Sequence, residues 1–322
     1  NTMVLIFLGA YTISALMSQS RYASLFGDFG QEKAGLLTAY AFAILYFVTA
    51  STIKDLKDLR QMLTALVAGG FVTGLFALLQ ALGVYIAPSD FTKSRGFNTV
   101  GSVGALSVYL AYIVTLCGGL LLIGHRQSDE KRKRNMAMKV FLVVTSVVGL
   151  FLIGLVDFNP IWWSLLVGSA VLIAFAFFHA GQMKGIKGVL LPIIAFLIAL
   201  LFLYFRFPVT VGYPAEVMPS ISASKDGAMK TLRAHPMFGS GPGTFLFDYA
   251  KHHSPEISQS LFWNVRFDRS ASRFWTMVAT TGMIGGIAWV LMALFLLVST
   301  GRRLLKTDED TWHIVVGVFA AW

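Results

Sequence analysis

The stretch SRFWTMVATTGMIGGIAWVLMALFLLVST, residues 272–300, carries one charged side chain, Arg273, at its start. About 20 apolar residues are enough to cross the hydrocarbon core of a bilayer as a helix. Working outward, similar runs lie near 2–17, 34–53, 61–83, 100–124, 140–157, 160–180 and 189–206, and a ninth begins at about 312. The chain is 56% apolar and 13% charged, with a mean hydropathy of +0.69; a soluble domain carries about a quarter charged residues. The expected fold is all-α: a polytopic transmembrane bundle of at least nine spans, one domain over residues 1–322. Cys117, the single cysteine, lies in an apolar run, so no intrachain disulfide is expected. The first residues are already apolar, without the basic region or cleavage site of a signal peptide, and WHIVVGVFAAW (312–322) is about half a span. The chain therefore reads as a fragment, truncated at both ends.

The loops alternate in charge. KDLKDLR (54–60), HRQSDEKRKRNMAMK (125–139), GQMKGIKG (181–188) and GRRLLKTDED (301–310) hold 14 of the 26 Lys/Arg residues. The other set is SQSRYASLFGDFGQEK (18–33), the 84–99 loop, the DFNP turn (157–160) and the long 207–271 segment. Basic short loops stay cytoplasmic, so the first set is placed inside and the second outside. Most of the formal charge of +10 is then topology, with membrane lipid headgroups as its partner. No basic groove interleaved with aromatics stands outside the spans, which excludes nucleic acid as a partner.

The long outer segment, 207–271, is where chemistry is expected. Residues 222–234, SASKDGAMKTLRA, predict a short amphipathic helix capped by Ser222 or Ser224, with Asp226 in its first turn. Ile221, Ala228, Met229 and Leu232 make its apolar stripe, and Pro236 ends it. It is expected to lie in the outer interface as part of a cap. HPMFGSGPGTF (235–245) follows at once, with Gly239, Gly241 and Gly243. A nucleotide-binding GxGxxG needs a preceding strand, and this loop follows a helix. Two readings stand: a tight turn that tucks the helix back, or exposed N–H groups that contact phosphate or sugar.

Arg266, Arg269 and Arg273, in NVRFDRSASRFW (264–275), share one face if helical, and Arg95 (in SRGFN) and Arg206 belong to the same outer side. Guanidinium groups suit phosphate oxygens; the alternative is snorkelling at helix ends. His252 and His253 lack a Cys or carboxylate at ligand spacing, so neither a metal site nor another cofactor is expected. Trp162, Trp163, Trp263 and Trp275 fit an interfacial belt. The spans show neither the paired charges nor the broken helices of a transporter.

The order of these parts, an R-G-F-N loop, an amphipathic helix, HPxFGxGPGTF and then a span with ATTGMIGG, resembles the O-antigen ligase and polymerase superfamily over residues of about 90 to 300. The resemblance implies a bacterial inner-membrane glycosyltransferase of the GT-C kind. Such enzymes move glycan from an undecaprenyl-diphosphate carrier to an acceptor hydroxyl of a glycan, lipid or protein at the periplasmic face, with inversion and without metal. It places Arg95 on the carrier diphosphate, His235 through Phe245 in the glycine-rich turn, and Ala279 through Gly285 at the start of the helix below the active site. The family's catalytic histidine position is Ala271 here, its usual asparagine is Ser272, and an arginine of the amphipathic helix is replaced around Ile221 and Ser222. The expected mechanism is therefore a transferase whose base is Asp268, His252 or His253, with Arg95, Arg266, Arg269 and Arg273 on the diphosphate. The alternatives are a non-catalytic glycolipid binder and a transporter or flippase.

Overall fold

The computed structural model describes residues 1–27, 34–122, 129–178, 188–205, 213, 218–252, 265, 267–306 and 312–321. Among these residues the fold is all-helical, with no strand. The helices are α1 (Thr2–Leu16), α2 (Arg21–Phe26), α3 (Leu36–Thr52), α4 (Leu56–Ala81), α5 (Val103–Leu121), α6 (Asp129–Val156), α7 (Asn159–Phe178), α8 (Leu190–Tyr204), α9 (Ile221–Ala234), α10 (Phe245–His252), α11 (Arg273–Lys306) and α12 (Trp312–Ala321). Five helical stretches are long and apolar enough to cross a membrane: Lys57–Ala81, Val103–Leu121, Met136–Val156, Asn159–Phe178 and Arg273–Arg302. α1, α3 and α8 are apolar but shorter.

Two compact units divide the chain. Residues Lys54–Glu216 and Thr300–Trp322 make one. Its centre is α5, with 78% of its apolar window buried against 28–44% for the other four long helices. Small residues make this possible, because helices in lipid associate through close packing. A Cβ on Gly118 would stand 2.9 Å from Leu172, and one on Gly70 of α4 would stand 2.7 Å from Ile113 of α5. Leu110, Ile113, Val114, Leu116 and Cys117 are consequently buried. The DFNP turn is held by Asp157, at φ 44°, whose carboxylate accepts from Trp162 Nε1 at 2.8 Å. Trp162 is fully buried and stacked on Phe202 at 4.3 Å. The interfacial-belt expectation thus fails at Trp162: an internal carboxylate satisfies its indole. Trp163 is exposed, and Trp263 lies outside the described residues.

Residues Asn1–Ile53 and Val217–Ser299 form the other unit. α9 starts one residue earlier than expected. Ser220, not Ser222 or Ser224, is its N-cap and accepts from the Ala223 N–H at 3.1 Å. Its packed face is Ser224, Ala228 and Thr231, while Ile221 and Met229 of the expected stripe are exposed. Small side chains let α9 sit close to its neighbours, so the larger apolar ones are left at its flank. Ala228 packs with Phe245, Tyr249, Phe267 and Ala279.

The glycine turn and α11 form one backbone structure. α11 is broken at Gly282 (φ 66°, ψ −166°), a region almost reserved for glycine. The break frees carbonyls before it and N–H groups after it, and these must find partners. The turn supplies them. Ser240 N–H donates to Ala279 O at 3.2 Å and Gly241 N–H to Thr280 O at 2.8 Å. Met283 N–H donates to Pro236 O at 3.0 Å and Ile284 N–H to Met237 O at 3.3 Å. Gly239 (φ 68°) lies against Gly282 so closely that a Cβ on either would fall 2.5 Å from the other's backbone nitrogen. Ser14 of α1, Ser24 of α2 and Ser18 between the two helices fasten the far side. Ser14 Oγ donates to Phe238 O and Thr280 O, Ser18 Oγ to Ser240 O, and Ser24 Oγ to Pro242 O. The expectation of unbroken spans is therefore corrected at Gly282: TTGMIGG reads as apolar helix because one glycine-only residue barely alters hydropathy.

Gly282→Ala is expected to destabilise the protein by more than about 3 kcal/mol, since backbone strain and a backbone clash coincide. Gly227→Ala, mid-helix in α9 with open space around its Cβ, should stabilise by about 0.5–1 kcal/mol. Melting temperatures of the two variants in detergent check this opposition of sign.

Candidate functional site

Within the unit of Asn1–Ile53 and Val217–Ser299 lies a small open cleft of about 20 Å³. Tyr11, Asp268, Arg269, Arg273, Thr276 and Gly243 are among its lining residues. The segment carrying Asp268 and Arg269 is anchored on both sides. Before them, Phe267 is buried edge-on against Tyr249 at 5.0 Å. After them, Ser270 N–H donates to Thr276 Oγ1 at 3.1 Å and Ala271 N–H to Ser224 Oγ at 2.9 Å. The two charged side chains are thus held at a fixed place while about a third exposed, with Arg269 Nε 3.6 Å from Asp268 Oδ1. Arg273 opens α11 and is exposed. Tyr11 donates its hydroxyl hydrogen to Ala34 O at 2.7 Å, so toward a ligand it offers only an acceptor. Two guanidinium groups and a carboxylate therefore share one wet cleft, an arrangement suited to holding an oxyanion beside a proton acceptor.

Of the residues expected at a site, Asp268, Arg269, Arg273 and Gly243 meet in this cleft. Arg266 and His253 lie outside the described residues. Gly239 and Gly241 serve the turn: the N–H groups of Gly239, Ser240, Gly241 and Thr244 are spent on the carbonyls of His235, Ala279, Thr280 and Gly241. At these positions the N–H groups are therefore not left exposed for phosphate or sugar. His252 closes α10 and is absent from the cleft lining. Burial, then the charges of Lys251, Lys230 and His235, hold its pKa below the usual histidine value. Arg95 belongs to the other unit. It is exposed on a loop that Asn98 ties together, donating to Gly96 O and Gly101 O and accepting from the Val100 and Gly101 N–H groups.

Sequence reasoning missed Asp248. It lies on the buried face of α10 with Phe245 and Tyr249, and is itself buried. Its carboxylate accepts from Ser240 Oγ of the turn and from Gln19 Nε2 at 3.2 Å, and Thr244 Oγ1 donates to Ser240 Oγ at 2.7 Å. The signal was present: a carboxylate at the helical spacing of Phe245 and Tyr249 must be buried and hydrogen-bonded. Burial pushes the Asp248 pKa up to about 6, against the hydrogen bonds from Ser240 and Gln19 and the charge of Lys251.

The chain matches no protein-family model, no curated protein and no solved structure.

Because the folded state holds the Asp248 proton more tightly than the unfolded chain, this residue's stabilising contribution is complete below the unfolded value near 4. It is lost as pH rises through about 6. The full loss is of order 2–3 kcal/mol. The melting temperature of wild type minus that of Asp248→Asn should fall between pH 4 and pH 7 and stay level above that; a difference independent of pH would remove the assignment.

Proposed function

We propose that this protein is a membrane glycosyltransferase of the O-antigen ligase and polymerase kind, acting at the outer face of a bacterial inner membrane. In this reading all nine apolar segments span, and the 207–271 segment forms a periplasmic cap. The observation that carries it is the cleft in which Arg269, Arg273 and Asp268 meet at the start of the apolar α11. The resemblance of the R-G-F-N, HPxFGxGPGTF and ATTGMIGG stretches supplies the substrate class: glycan on an undecaprenyl-diphosphate carrier, and an acceptor hydroxyl.

The chemistry follows from those groups. Asp268 takes the proton of the acceptor hydroxyl as its oxygen attacks the anomeric carbon from the face opposite the leaving group. The bond from that carbon to the diphosphate oxygen breaks, its electrons stay on the diphosphate, and configuration inverts. Arg269 and Arg273 stabilise the charge that gathers on the leaving oxygens. Asp268 stands three residues from Ala271, where the family's histidine would be, and lies in the cleft, whereas His252 does not line it. It is therefore the preferred base.

Asp268→Asn is expected to lower transfer by about 10²–10⁴-fold. Arg273→Ala should lower it by roughly 10–100-fold, the worth of a hydrogen bond to a charged group. Release of carrier diphosphate from a radiolabelled donor in membranes, together with a new glycoconjugate, measures both. Full activity in Asp268→Asn would remove it as the base. Donor that binds wild type tightly without release would identify a glycolipid binder instead.

A further inference from the structure

Basic side chains from two helices gather where α9 and α10 end. Lys230 Nζ of α9 donates to the carbonyl oxygen of His252, the last residue of α10, at 3.3 Å. His235 follows α9 as its C-cap residue, and Lys251 precedes His252. Lys230, His235 and Lys251 are exposed and His252 is half-buried. Among the described residues none of the four forms an ion pair. Two carboxylates share these helices: Asp226, one turn before Lys230, and Asp248, buried and occupied by Ser240 and Gln19. The carbonyl ends of both helices soften the repulsion, but they do not remove it. After burial, the charges of Lys251, Lys230 and His235 are what depress protonation of His252. Cations with no ion-pair partner among the described residues raise the local concentration of anions and favour one bound among them.

Apolar side chains interleave with these cations. Met229 adjoins Lys230, Met237 lies two residues past His235, and Phe247 lies one turn before Lys251; all three are exposed. Exposed basic and bulky apolar side chains along the same short helices are the composition of segments that lie in a lipid–water interface. Free phosphate has no use for the methionines and the phenylalanine, whereas a lipid engages both kinds of group. We propose that Lys230, His235, Lys251 and His252 bind the phosphate of an anionic phospholipid headgroup, with Met229, Met237 and Phe247 against the lipid's apolar part. This site is separate from the cleft and stands whether or not the protein transfers glycan.

The full chain in uncharged detergent, titrated with short-chain phosphatidylglycerol, short-chain phosphatidylcholine and inorganic phosphate, tests the site through melting temperature. Phosphatidylglycerol should bind more tightly than the other two. Lys230→Gln and Lys251→Gln should each weaken it about fivefold, the worth of one basic residue at an anionic surface. Lys225→Gln, on the same helix, should leave it unchanged, and Lys→Arg at either site should restore it. Unaltered melting temperatures without lipid will show that the exposed replacements leave the fold intact. An equal preference for phosphatidylglycerol in the Lys230→Gln/Lys251→Gln double variant would overturn the site. Inorganic phosphate binding as tightly as phosphatidylglycerol would overturn its assignment to lipid.

Discussion

The break of α11 at Gly282 frees backbone groups that an apolar environment cannot satisfy, and the 236–241 turn pairs with four of those beside it. Two carbonyls before the break and two N–H groups after it are paired with the turn, so the half-helices and the turn behave as one piece. Much of the surrounding unit is arranged to keep that pairing. Gly239 and Gly282 let the backbones approach, Ser14, Ser18 and Ser24 hold the turn's carbonyls, and Asp248 holds Ser240. Half-helix ends at a break in a transporter point at ions or substrate. Here they point at the turn and are spent, which favours a structural splice over an ion site.

The splice also sets the cleft. Thr280, whose carbonyl accepts from Gly241, and Gly243 of the turn both line it. Thr276, one turn earlier on α11, fixes Ser270 and so the adjacent Asp268–Arg269 pair. A charge placed on a loop pinned at both ends keeps its geometry without the entropy loss of ordering on substrate arrival. The cations at the ends of α9 and α10 are arranged differently: exposed and free of ion pairs among the described residues, they suit an anion that arrives from the membrane surface.

Helix positions were legible in the sequence because hydropathy over 20 residues reports burial in lipid or protein alike. α4 to α8 and α11 start and end within a few residues of the apolar runs, apart from the extra turns of α4, α6 and α11 that reach into their charged flanks. The glycine turn was also legible as a turn, and Asp268, Arg269 and Arg273 as neighbours, because their spacing is local. The partner of the turn was not. Only a long-range backbone pairing distinguishes Gly282 from Gly285 or Gly286, which sit in ordinary helix three and four residues on. Asp248 was overlooked because its importance comes from Ser240 and Gln19, the latter 229 residues away. Trp162 was misplaced for a local reason: its partner, Asp157, only five residues back, turns it inward.

The most direct test of the splice is amide hydrogen exchange of the full chain in membranes, read on peptides covering 236–244 and 279–285. Both peptides should be strongly protected and should lose protection together, as one cooperative opening. A turn that exchanges as fast as a free loop while the half-helix after Gly282 stays protected would contradict the account.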